Sequence, residues 1–223
     1  MEKYFDILRK CPLFFHIDDE RLLKLLICLG AKVELFNKNC TIINEGTPAR
    51  SIGIVLSGTA QILQIDYSGN RNIIAKLTPS ETFGEAFACA EISSIPVTIV
   101  ANESCEIMLI DCSHILHTCS NNCGFHQQLI FNLMKDLATK NISFHQKIKI
   151  TSKRSTREKL MTYLMFQAKE HGSNQFDIPF DRQELADYLE VDRSGLSAEI
   201  SKLRKEGILE SRKNHFILHI FSE

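Results

Sequence analysis

The apolar residues of this chain change their period twice, and that change restricts the fold more than any other feature. From about residue 31 to residue 112 they recur every second position, in short β-branched runs such as "CTIINEG", "SIGIVLSGTAQILQID", "NIIAKL" and "VTIVANESCEIMLID". Turn residues divide the runs: Gly46, Gly58, Ser68-Gly69 and Pro79-Ser80. Period two with regular turns predicts many short antiparallel strands closed into a small barrel or sandwich. Residues 1–30 are helical in pattern, with "DDERLLKLLICLG" capped by Asp18 and closed by Gly30. From about 121 the helical period returns. Ile130, Leu133, Leu137, Phe144 and Ile148 stand at spacings of three, four, seven and four, and a seam this long on one helix points to a dimer interface. A helix over 155–172 ("STREKLMTYLMFQAKEHG") and a strand "FDIPF" follow.

The C-terminal stretch "RQELADYLEVDRSGLSAEISKLRKEGIL", residues 182–209, compresses two amphipathic helices around a three-residue turn, Glu190-Val191-Asp192. Asp181 and Glu184 have capping-box spacing for the first helix, whose inward face is Leu185, Ala186 and Leu189. Asp192 caps the second, which buries Leu196, Ile200 and Leu203 and stops at Gly207. The outline is a helix-turn-helix, a shape whose second helix enters the DNA major groove. A closing hairpin, "GILES" and "HFILHIF" around Arg212-Lys213-Asn214, follows.

Net charge is −1, so composition alone does not suggest nucleic acid. The distribution is more telling: residues 1–120 sum to −4 and residues 121–223 to +3, a tilt suited to a few placed phosphate contacts. No apolar run reaches the ~20 residues of a membrane helix, and "MEKYFDILRK" lacks a secretory h-region, so a cytoplasmic protein away from membranes is expected. The eight cysteines are then not expected to form a disulfide framework. Cys11, Cys28, Cys40, Cys89 and Cys105 stand among apolar neighbours, as small buried residues do.

The order of elements, with "IINEGTPARSIGIVLSGTAQIL" (42–63), "YSGNRNIIAKLTPSETFGEAF" (67–87) and the helix-turn-helix ending in "LRKEGIL", resembles the CRP/FNR family of bacterial transcription regulators over essentially the full length. The resemblance implies an α+β fold. Its parts would be an N-terminal double-stranded β-helix (jelly-roll-like) sensor of the cyclic-nucleotide-binding type over 1–120, a long dimerisation helix over 121–150, and a winged helix-turn-helix over 151–223. It also implies a homodimer on a palindromic double-stranded DNA operator, with RNA polymerase as a candidate partner. Carried over by position, Arg193, Ser194 and Ser197 face base edges, Arg182 and Gln183 anchor on phosphate, and Lys202 is a further DNA contact. Arg suits the first role because it can bond guanine O6 and N7 together. Two positions depart from the family: Ala198 replaces a second polar base reader, and Glu190 stands where the turn usually has Gly.

The signal is less legible. Family members that bind a cyclic nucleotide follow "GE" with an Arg and a Ser or Thr about ten residues on. Here Gly84 and Glu85 are present, but those positions hold Ile95 and Pro96. Between Lys76 and Lys153 the only basic residues are Lys135, Lys140, Lys147 and Lys149, so a buried phosphate would lack a partner and cAMP is not expected. The expectation is an unidentified small molecule in an apolar pocket, touching Gly84, Glu85 and Phe144, with no resident cofactor or metal. The alternatives are a cysteine-based redox or metal sensor built on Cys112, Cys119 and Cys123, and an interaction module that has lost DNA binding. No catalytic residues are expected: residues 17–113 contain no His, which removes the imidazoles of a cupin-type metalloenzyme and a haem ligand within the roll.

Overall fold

The computed structural model describes residues 1–116 and 125–219. Their contacts form two units, Met1–Ile65 with Ile74–Asn141, and Asp66–Ile73 with Ile142–Glu223.

The first unit begins with α1 (Phe5–Leu8) and α2 (Asp19–Cys28). Asp18 caps α2 by accepting from the Arg21 amide at 3.0 Å. There follow β1 (Lys32–Phe36), β2 (Thr41–Ile43), β3 (Ser51–Ser57), β4 (Ala60–Ile65), β5 (Arg71–Leu77), β6 (Thr82–Phe83), α3 (Glu85–Cys89), β7 (Thr98–Ala101) and β8 (Cys105–Asp111). Two four-stranded sheets result, ordered β1-β8-β3-β6 and β2-β7-β4-β5. The first sheet is antiparallel throughout, and β7 runs antiparallel to both of its neighbours in the second. Short antiparallel strands are what the alternating sequence predicts, and the two-sheet arrangement is the jelly-roll-like one that the resemblance implies.

Strand β3 shows why its sequence is apolar at nearly every position. Ile52, Ile54 and Leu56 face one core with α1, α2, Met108 and Ile110. Val55 faces a second core that both sheets share, with Phe83, Ile99 and Ile107. Gly53 is dictated by packing: a Cβ there would lie 2.0 Å from the Phe83 ring.

Helix α4 (Ser113–Leu116) precedes the long α5 (Phe125–Thr151). Leu129 and Leu133 of α5 are buried in the first unit's core, and Leu137 packs against it. Residues 141–146 are then exposed one after another, and the boundary between units falls among them, inside α5 rather than at either of its ends.

The second unit contains α6 (Thr156–His171), β9 (Gln175–Asp177), α7 (Arg182–Leu189), α8 (Arg193–Lys205), β10 (Leu209–Arg212) and β11 (His215–Leu218). Its sheet is ordered β10-β11-β9 and antiparallel. Both helices with capping-box spacing have the box: Ser155 with Glu158 at α6, and Asp181 with Glu184 at α7. Phe180 and Tyr188 stack, and buried Tyr163 packs tilted against both. Arg157 of α6 pairs with Glu199 in the middle of α8 and with Glu206 at its C-cap. The tip of the β4–β5 hairpin belongs to this unit. Asn72 donates to Glu190 at 3.0 Å, and Lys147 donates to the Ile73 carbonyl at 3.1 Å.

Candidate nucleic-acid interface

The turn between α7 and α8 takes a left-handed backbone at Glu190, φ 54°, where a side chain costs about 1–2 kcal/mol relative to Gly. Local bonds offset that strain. Lys159 donates to the carbonyls of both Leu189 and Glu190 at 3.1 Å, and Asn72 holds the Glu190 carboxylate. The turn is therefore the tight one that a helix-turn-helix needs, built without glycine.

Asp192 caps α8, accepting from the Gly195 amide at 2.9 Å and from the Ser194 hydroxyl. Arg193 opens the helix and is exposed, as are Ser194 and Lys202; Ser197 is half-buried and its carbonyl accepts from Ser201. Arg182 opens α7. Its guanidinium lies over the Phe216 ring, 5.9 Å from the centroid, and its Nη1 is buried with no hydrogen-bond partner. Burial, and then the charge of nearby Arg193, push the Arg182 guanidinium down from its ordinary value. Two guanidinium groups thus converge at the N-termini of α7 and α8, where helix dipoles add further positive potential. Gln183 is engaged along its own helix, donating to Asp187 at 2.7 Å.

In the first unit, Gly84 (φ 80°) turns the chain into α3 so that Glu85 points inward, 5% exposed. Glu85 Oε1 accepts from Lys140 Nζ at 2.8 Å, and its Oε2 is buried without a partner. Lys140 also donates to the Thr82 carbonyl and hydroxyl and pairs with Asp136 at 3.2 Å; the Thr82 hydroxyl donates to Asp136 at 2.5 Å. Ile95 is buried in an apolar cluster with Ala49 and Val97, against which Ile62, Ile74 and Phe87 pack.

A Crp-like helix-turn-helix model matches residues 158–220, and a cyclic nucleotide-binding domain model matches residues 33–122. The chain belongs to the CRP/FNR family of transcription regulators. Among its relatives, the transcriptional activator protein FnrA of Stutzerimonas stutzeri is 26% identical over 211 residues, covering 90% of this chain and 80% of that protein. The structure of FixK2 from Bradyrhizobium japonicum shares the fold at 20% identity and TM-score 0.65, over 85% of this chain and 93% of that one. The regulator CLP of Xanthomonas campestris, described as c-di-GMP responsive, shares it at 16% identity and TM-score 0.72, over 91% and 100%.

For this CRP/FNR regulator the residues read from sequence divide between the two units. Gly84 and Glu85 lie in the first, whereas Phe144 is exposed in the second. The α5 seam needs correction. Leu133 is spent on the chain's own core with Leu137 against it, and Ile130 is half-buried. The exposed apolar residues of α5 are Phe131, Met134 and Ile142, with the expected Phe144 and Ile148. Sequence spacing alone does not distinguish two apolar stripes on one helix.

The partners of Glu85 were also missed. Asp136 and Lys140 continue the inward stripe of Leu129, Leu133 and Leu137, and a charged i,i+4 pair inside an apolar stripe was the available signal. The basic wing turn, Arg212 and exposed Lys213, was likewise not assigned a role. The cysteine expectations shift too, since Cys28 and Cys40 are exposed rather than buried. Cys119 and Cys123 lie outside the described residues, and no group of three metal-ligating side chains occurs among the described ones. Likewise no helix among the described residues is long and apolar enough to cross a membrane.

Proposed function

We propose that this regulator binds a palindromic operator as a homodimer, with α8 in the major groove. The observation that carries the reading is Arg182, whose buried Nη1 lacks a partner beside the positive Arg193. Turned outward from the Phe216 ring, the guanidinium would find its partner in a DNA phosphate, which would also screen the repulsion between the two cations. In this reading Arg193 and Ser197 reach base edges, and Lys202 supports the contact. Ser194 and Gln183 contribute only by exchanging their bonds to Asp192 and Asp187. The exposed residues Phe131, Met134 and Ile142 of α5 support a dimer through that helix.

The signal is a small molecule other than cAMP. Ile95 offers no charge to a cyclic phosphate, and Lys140, the cation beside Glu85, is already paired with two carboxylates. An effector with a hydrogen-bond donor would suit the free Glu85 Oε2 and would compete with Lys140 for the carboxylate. It would act by shifting the population of dimers whose recognition helices are spaced for adjacent major grooves.

The test is selection of random DNA fragments by the purified protein, alone and in cell extract. Enrichment of a symmetric site with half-sites about 34 Å apart supports the reading. An asymmetric site removes the dimer from it, and no enrichment under either condition rejects it.

A further inference from the structure

Cys89 ends α3 and Cys112 immediately follows β8, and their sulfurs meet at 3.6 Å inside the first unit. Both belong to the helix-side core, but unequally: Cys112 is 3% exposed, whereas Cys89 is half-buried and open to a small reagent. We propose that Cys89 and Cys112 form a reversible disulfide when the regulator meets a hydroperoxide, with Cys89 as the attacking thiolate and Cys112 as the resolving thiol.

Three features favour this pair over the others. A disulfide needs about 2.05 Å between sulfurs, so a closure of about 1.5 Å suffices. The hydrogen bond from Cys112 lowers the Cys89 thiol below its ordinary value, while that bond and burial raise Cys112. The nucleophile is thereby the more accessible member and the proton donor the buried one. By contrast Cys11 is deeply buried, with its thiol pushed up to about 12.

The chemistry balances in two steps. The Cys89 thiolate attacks the O–O bond of hydrogen peroxide, forming sulfenic acid and releasing hydroxide. The Cys112 thiol then displaces the sulfenic hydroxyl, with its proton leaving in water. Two thiols lose two electrons, peroxide becomes two waters, and a dithiol reductant reverses the bond.

The position gives the bond a lever. Helix α3 starts at Glu85, which Lys140 of α5 holds, and ends at Cys89; Cys112 leads into α4, which comes just before α5 in the chain. A covalent link would tie the end of α3 to the end of β8. Its effect on DNA binding rests on the proposed function above, whereas its formation does not.

The experiment treats the reduced full chain with hydrogen peroxide and maps cross-links by mass. No Lys or Arg lies between Lys76 and Lys135, so trypsin leaves both cysteines in one peptide; cleavage after Glu91, Glu103 and Glu106 separates them. We expect a Cys89–Cys112 link that dithiothreitol reverses. It should disappear in Cys89→Ser and in Cys112→Ser, the latter accumulating a sulfenic acid at Cys89 that a dimedone-type probe traps. A link that persists in Cys112→Ser, or oxidation confined to other cysteines, overturns the assignment. DNA affinity should differ about tenfold between oxidised and reduced wild type and not at all in Cys89→Ser. Equal affinities at complete oxidation would overturn the regulatory half while leaving DNA binding intact.

Discussion

Replacing Lys140 with Met would leave two buried carboxylates without the cation they share. Glu85 and Asp136 are 5% and 7% exposed, and Lys140 is the cation that pairs with both, at 2.8 and 3.2 Å. Removing one partner of a buried ion pair costs about 3–5 kcal/mol, because the remaining charge is desolvated and unpaired. The Lys140 side chain is itself 27% exposed, so water screens part of the interaction and the lower end, about 3 kcal/mol, is expected. At a urea slope of about 2 kcal/mol per molar, the midpoint falls by about 1.5 M. The chain has no Trp, so ellipticity at 222 nm is the convenient signal. Glu85→Gln alone should cost less, since Lys140 keeps Asp136 and the Thr82 carbonyl. In the double variant, the amide removes one of the stranded charges. We therefore expect it to be more stable than the sum of single losses by about 1–2 kcal/mol. A loss below about 0.5 kcal/mol for Lys140→Met, or additivity within that margin, would refute the idea that Lys140 neutralises Glu85.

Arg193→Ala should flatten the operator's base preference at one position, costing about 1–3 kcal/mol there. Arg182→Ala should instead weaken binding to all sequences alike and reduce the salt slope by about 1; identical profiles from competition binding would undo both roles. Lys147 offers a pH test. Burial pushes its ammonium down from 10.5 to about 8, although the Ile73 and Tyr188 carbonyls and the Tyr188 ring surround it. The unfolded chain then binds more protons between pH 8 and 10.5, so this group's contribution to stability rises with pH in that window. Its full span is about 3 kcal/mol. Wild type should gain on Lys147→Met from pH 7 to 9.5, and a flat difference would mean the carbonyls and ring hold the charged form.

Local patterns carried much of this protein. The period-two runs between 31 and 112 determined two sheets, because a strand with one buried face must alternate. Asp181, Glu184 and Asp192 determined where α7 and α8 begin, because a cap is chosen by residues three positions apart. Even the left-handed turn at Glu190 could be posed as a question from sequence. Its answer could not, because the carbonyls are held by Lys159, thirty residues away, and the carboxylate by Asn72, more distant still. The same limit governs the rest. Which of two apolar stripes on α5 is exposed depends on what packs against Leu129 and Leu133 from α1, α2 and β3. The Glu85–Lys140 pair joins residues 55 positions apart, and Cys89–Cys112 joins residues 23 apart. Short-range periodicity selects the elements; long-range packing alone decides which side chains meet, and the groups that would sense a signal are of that second kind.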